Sequence, residues 1–145
     1  MICRAFVGML GRIGINVNLV SHSRTLHFPA IQNYEVDFYL LGWGVPPFDS
    51  AYVFDFLVHT REGARGGWNG SRYSNPELDA KIQSVAAETD PAKSDTTVAE
   101  IWDKVQEDRV MLAVHNQPLA YATRAGINLA VHPENQPKMT SVMFD

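Results

Sequence analysis

The sequence is poor in cysteine: Cys3 is the only one in 145 residues. That excludes an intramolecular disulfide and any CxxC redox or metal motif. It does not fix a compartment, because exported bacterial proteins lack disulfides as readily as cytosolic ones. Basic runs are missing too. Lys and Arg total 12 against 16 Asp and Glu, a net charge of −4, and no aromatic-basic interleaving occurs. Nothing here favours a nucleic acid or an anionic membrane as partner. No apolar stretch approaches the roughly 20 residues that a membrane helix needs. The opening stretch MICRAFVGMLGRIG has no charged head followed by a small-residue cleavage site, so it does not read as a signal peptide.

Catalytic and metal motifs are equally scarce. His22, His27, His59, His115 and His132 show neither H-x-x-x-H nor H-E-x-x-H spacing, so scattered structural or surface histidines are the simpler reading. No G-x-S-x-G is present. Cys3 falls in the apolar stripe of a helix, where an inert thiol is the default. Gly8, Gly11 and Gly14 are spaced by three, not as a phosphate-binding G-x-G-x-x-G after a strand. Glu107 and Asp108 read as a solvated helix face. Asn69-Gly70-Ser71 matches the glycosylation pattern, a match common by chance. No cofactor is implied.

What the sequence does hold is a core. It is 46% hydrophobic and 19% charged, and its length suits one ordinary domain. Ile2, Phe6, Met9, Leu10 and Ile13 recur at helical spacing, with Gly14 as the expected C-cap. A helix that starts with no N-cap raises the expectation that Met1 is an internal cut point. Ile15–Val20 alternates apolar and polar, as a half-buried strand does. SHSRTLHFPAIQN suggests a short helix broken near Pro29. VDFYLLGW is almost wholly apolar, which suits a strand covered on both faces. Helix, strand, helix, strand in this order predicts an α/β layer with parallel strands.

Three helices should follow. SAYVFDFLVH has Asp49 or Ser50 as its cap. The next opens at Ser74, with Pro76 in the first turn and Glu77 three residues after Ser74, and its stripe is Leu78, Ile82, Val85 and Ala86. The last opens at Asp90-Pro91, with a stripe of Val98, Ile101, Trp102 and Val105. Beyond it, MLAVHNQPLAYATR and INLAVHP read as extended segments, and the tail as loop with a final short strand. There is no internal repeat.

Two glycine-rich aromatic loops remain. In GWGVPPFDS, Trp43 stands at the end of an expected buried strand, between Gly42 and Gly44, with Pro46 and Pro47 stiffening the exit. Carboxyl ends of strands are where open α/β sheets place ligands. Alternatively, Trp43 caps the core and the glycines only turn the chain. GGWNGSRYSNP carries Trp68, Asn69 and Tyr73. Such rings give large contact area at low entropic cost, so this loop is either a recognition surface or a packed anchor.

The stretches DFYLLGWGVPPFDSAYVFDFLVH, WNGSRYSNPELDAKIQSVAAETDPAKSD and IWDKVQEDRVMLAVHNQPLAYATR, in this order, resemble the C-terminal part of the family 5 extracellular solute-binding proteins. These are the dipeptide, oligopeptide and nickel-type receptors of bacterial ABC importers. The resemblance runs from the first helix to about Arg124, and the YSNPELD and TDPAK openings of the two helices carry most of it. It implies an α/β fold: the C-terminal lobe of a two-lobed, periplasmic-binding-protein-like (type II) fold, incomplete. Residues 1–120 would be part of the second ligand-binding lobe, and 121–145 a segment returning toward the first.

The resemblance further implies a binding protein, not an enzyme. It would capture a peptide or related small solute and deliver it to an ABC permease, and would be periplasmic or a cell-surface lipoprotein at full length. The implied ligand-binding residues are Gly42, Trp43, Gly44 and Asp49, with Trp68, Asn69 and Tyr73 as second candidates. Peptide-binding relatives carry an Ala-Asp-Tyr-like run whose aspartate receives the peptide amine; here those positions read Val45-Pro46-Pro47, and a proline accepts no salt bridge. The alternatives are a small α/β hydrolase, which lacks a visible nucleophile–base pair, and a truncated domain without independent function. A severed lobe should expose an apolar face and self-associate.

Overall fold

The computed structural model describes residues 2–45, 49–131 and 137–145. The elements in chain order are α1 (Ile2–Gly11), α2 (Arg24–Gln32), α3 (Ser50–Val53) running into a π-helical turn (Phe54–Val58), α4 (Pro76–Ala87), α5 (Pro91–Glu107), β1 (Ile127–Leu129) and β2 (Val142–Phe144).

The core lies where the capped helices meet. Phe54, Val58, Leu78, Ile82, Val85, Ile101 and Val105 form one buried cluster. Asp49 caps α3, its carboxylate accepting the Ala51 N–H at 3.0 Å. Asn75 caps α4 by accepting the Glu77 and Leu78 N–H groups. Asp90 caps α5 by accepting the Ala92 N–H. Pro76 and Pro91 follow their caps, where a missing N–H costs nothing. The expected cap at Ser74 is displaced by one residue. Pro76 at the first helical position makes Asn75 the cap, and the Ser74 hydroxyl accepts from Thr60 instead. Ala86 is exposed, because it falls beyond the Leu78–Ile82–Val85 row that faces α5. Trp102 packs edge-on against Phe54, centroids 4.8 Å apart, and its indole N–H reaches the Ser50 hydroxyl at 3.3 Å. That contact ties α5 to the start of α3.

Three helices end in one way. After α1, the Ile15 N–H bonds to the Leu10 carbonyl and the Gly14 N–H to Gly11, with Gly14 at φ 82°. This is the Schellman closure expected of a glycine C-cap. The same bond pair recurs after α2, around Tyr34, and after α5, around Arg109, both at positive φ. Pro29 lies inside α2 and does not break it. In so short a helix it forfeits a single main-chain bond, and the buried Ala30 and Ile31 hold the last turn in place.

The N-terminal third departs from expectation. α1 forms, yet none of its residues is buried. Its Phe6 ring meets the Phe38 ring, centroids 6.2 Å apart. Ile15–Val20 and Val36–Trp43 are not strands. Strand propensity records fit to a half-buried pleated surface, and among the described residues no neighbouring strand offers these segments a main-chain ladder. Among the described residues the sheet is one antiparallel pair near the other end of the chain, β1 with β2, in the register Ile127–Phe144. β2 is the expected final short strand. MLAVHNQPLAYATR is not part of a sheet. Among the described residues no helix is long and apolar enough to cross a membrane.

Candidate functional site

The two aromatic loops, far apart in sequence, come together. Trp43 and Trp68 meet with ring centroids 5.9 Å apart. Trp43 also touches Tyr52 at 5.8 Å and Phe56 at 6.0 Å, and Trp68 touches Phe28 at 5.1 Å, edge to face. Tyr52 in α3 and Phe56 on the turn that continues it, four residues apart, meet with centroids 4.7 Å apart and planes tilted by 47°. All five rings are half-buried, so the cluster forms an aromatic wall that keeps part of its surface accessible. Gly42 and Gly44 flank it. Both are exposed, and a Cβ added at either would touch none of the described residues within 4 Å. The main chain on either side of Trp43 is therefore open to an approaching group. The indole Nε1 of Trp43 is buried without a hydrogen-bond partner among the described residues.

The π turn explains how Trp68 is held. A π-helical step leaves carbonyls without their usual helical partners. The Asp55 carbonyl takes the Gly66 N–H at 2.7 Å, and the Phe56 carbonyl takes the Trp68 N–H at 3.0 Å. An Arg65–Asp55 ion pair at 3.2 Å closes the same junction. Gly66 sits at φ 62°, and a Cβ there would lie 2.4 Å from the His59 carbonyl. Gly70 is equally confined, against Ile31 and the Tyr39 ring. Burial pushes the Tyr39 phenol up, opposed by its hydrogen bond to the Gly70 backbone.

Asn69 turns inward. It is buried, and its Nδ2 donates to the carbonyls of His59 and Tyr73 at 3.0 and 2.8 Å, with a longer contact to Val58. Its Oδ1 accepts from the Ser71 hydroxyl and the Tyr73 N–H. Its hydrogen-bonding capacity is spent within the loop, so it shapes the loop that presents Trp68. Beside it lies buried His59, whose Nδ1 donates to the Thr60 carbonyl at 2.6 Å, leaving Nε2 to accept from the Gln83 amide. Asp79 accepts the Thr60 N–H, 2.9 Å away. This hub fastens the loop to α4.

Tyr73 stands apart from the aromatic wall. Its ring packs on the helical core, and its hydroxyl donates to Asp108 at 2.6 Å. Burial and then this bond raise the phenol. The Tyr73 and Lys104 hydrogen bonds hold the Asp108 carboxyl below its usual range. Lys104 is raised by its bonds to Glu107 and Asp108. Asp49 serves as a helix cap. Of the residues expected at a site, Gly42, Trp43, Gly44 and Trp68 therefore share one place, while Asp49, Asn69 and Tyr73 hold structure. Pro46 and Pro47 lie outside the described residues, as does His132.

Tyr52, Phe56 and Phe28 were not foreseen as part of this wall. Their signal in the sequence is the i, i+4 pairing of Tyr52 with Phe56, which puts two rings on one helical face. A concavity of about 490 Å³ lies between α4 and α5 and is lined by Lys81, Glu100, Lys104 and Glu107 among others. Its cations are already paired, Lys81 with Glu100 at 2.6 Å and Lys104 with Glu107 at 2.9 Å. No group of three or more potential metal ligands occurs among the described residues. No protein-family model, curated protein or solved structure matches the chain.

Proposed function

We propose that this chain supplies part of the ligand-binding lobe of a family 5 extracellular solute-binding protein, the receptor of a bacterial ABC importer. The full-length receptor would work outside the cytoplasmic membrane, in the periplasm or as a surface lipoprotein. It captures a peptide or related small solute between two lobes and passes it to the permease, with no covalent chemistry. The observation that carries this reading is the meeting of Trp43 with Trp68 beside the open main chain of Gly42 and Gly44. Indole faces supply contact area that tolerates varied side chains, and unobstructed backbone supplies strand-like hydrogen bonds to a peptide. Lobe closure then excludes water from the wall.

The test is tryptophan fluorescence of the whole chain titrated with mixed di- to pentapeptides, alongside native mass spectrometry for a retained small molecule. A saturable spectral change that Trp43→Ala removes, with the helical signal intact, is the expected result. No spectral change and no retained mass would overturn the reading. Labelling by a serine-directed covalent probe would point to a hydrolase.

A further inference from the structure

The aromatic wall is almost free of charge. Its rings stand on residues 24–32, 38–45, 49–58 and 66–70, and the charged side chains there are Arg24, Asp49 and Asp55. Both acids are committed to the fold. Asp49 accepts the Ala51 N–H as the cap of α3, and Asp55 pairs with Arg65 at 3.2 Å. Arg24 is not committed. It is exposed, and its guanidinium lies over the Phe28 ring, 5.4 Å from the centroid, with no hydrogen bond or ion pair among the described residues. The charge does nothing for α2 either. Arg24 is the first residue of that helix, where the dipole favours an acid.

The cation is continuous with the rings. Phe28 meets Trp68 at 5.1 Å, and Trp68 meets Trp43 at 5.9 Å. Further along this run, the Trp43 indole N–H is buried and unpaired among the described residues. Guanidinium and indole N–H groups donate and cannot accept. A solute lying along the wall must therefore bring acceptors, while a cationic group finds no uncommitted carboxylate there. The acceptor that suits a guanidinium best is a carboxylate, whose two oxygens match its planar fork.

We infer that the wall selects its solute by a terminal carboxylate, which Arg24 receives while the apolar body of the solute lies against Phe28 and Trp68. Arg24 is then a specificity-determining residue, and a free amine on the solute is dispensable. The inference rests on the reading of this chain as part of a solute-binding lobe, and adds to it which end of a peptide is held.

Three pools of mixed di- to pentapeptides test it against the whole chain: free peptides, the same pool acetylated at the amine, and the same pool amidated at the carboxyl end. Amidation removes the terminal carboxylate and spares Asp and Glu side chains, so the pools also separate the two sources of acid. Tryptophan fluorescence is expected to saturate at similar concentrations of free and acetylated peptides, and to need about tenfold more of the amidated pool. Arg24→Gln should abolish the preference for acid over amide, and Arg24→Lys should restore part of it. Arg24 lies outside the helical core cluster, so circular dichroism should stay unchanged. Equal binding of the free and amidated pools, loss of binding on acetylation, or an Arg24→Gln chain that still distinguishes acid from amide would overturn the inference and leave solute capture standing. No saturation with any pool would overturn both.

Discussion

Asn69 grips Tyr73 twice: its Nδ2 donates to the Tyr73 carbonyl at 2.8 Å, and its Oδ1 accepts the Tyr73 N–H at 3.2 Å. One side chain thereby closes the loop that carries Trp68. Asn69→Ala orphans buried carbonyls and an N–H together. It should lower stability by about 2–4 kcal/mol, read as a lower urea midpoint. Asn69→Asp replaces the donor with a second acceptor facing two carbonyls, and should cost at least as much.

The glycines of the two loops should differ sharply. Gly66→Ala forces a Cβ into the His59 carbonyl at a left-handed backbone position. A loss of about 2 kcal/mol or more is expected in denaturant titrations. Gly42→Ala and Gly44→Ala meet open space and should leave the midpoint within about 0.5 kcal/mol. If those two variants still weaken peptide binding, the loss belongs to the site and not to the fold.

Arg109 offers a stabilising change. It occupies the left-handed position that closes α5, at φ 53°. Arg109→Gly keeps the two closing bonds and removes the strain of a side chain there. A gain of about 0.5–1 kcal/mol should appear as a higher thermal midpoint. Tyr34, in the same conformation after α2, should not respond alike, because its ring lies under the Arg61 and Arg72 guanidinium groups.

The Tyr73–Asp108 bond predicts a pH dependence. The folded chain holds the Asp108 carboxyl below its usual range, so folding favours the ionised form. That contribution is present above the ordinary aspartate range and is lost as pH falls through the depressed folded value. Tyr73→Phe removes the hydrogen bond that contributes most to that depression. The thermal midpoints of parent and variant should therefore differ at neutral pH and converge in acid.

Helix α5 could be read from the chain almost whole, because its determinants are local: Asp90 as cap, Pro91 after it, and apolar residues at Val98, Ile101 and Val105. α3 was found through Asp49 for the same reason. The π turn could not be read. Its carbonyls at Asp55 and Phe56 are taken by the N–H groups of Gly66 and Trp68, many residues later. Ile15–Val20 misled in the opposite way, since a strand is completed by a neighbour and alternation states only a readiness to pair. At the site, each tryptophan stood out by its glycines, but their meeting depends on how the second loop folds back on the π turn. Asn69 looked like a recognition residue because an amide serves a ligand and a loop equally well. Only its neighbours decide between them.

The core built by α4 and α5 also has a consequence for the order of synthesis. These helices are joined by three residues, Glu88 to Asp90, so their contacts close short loops and form early once both are present. Yet they lie in the second half of the chain. A ribosome releases the apolar segments at 13–20 and 38–45 before any residue of the helical core cluster, which starts at Phe54. For that interval these stretches are exposed without the helical core that follows them, so chaperone engagement during translation should fall on them before residues 54–105 are complete.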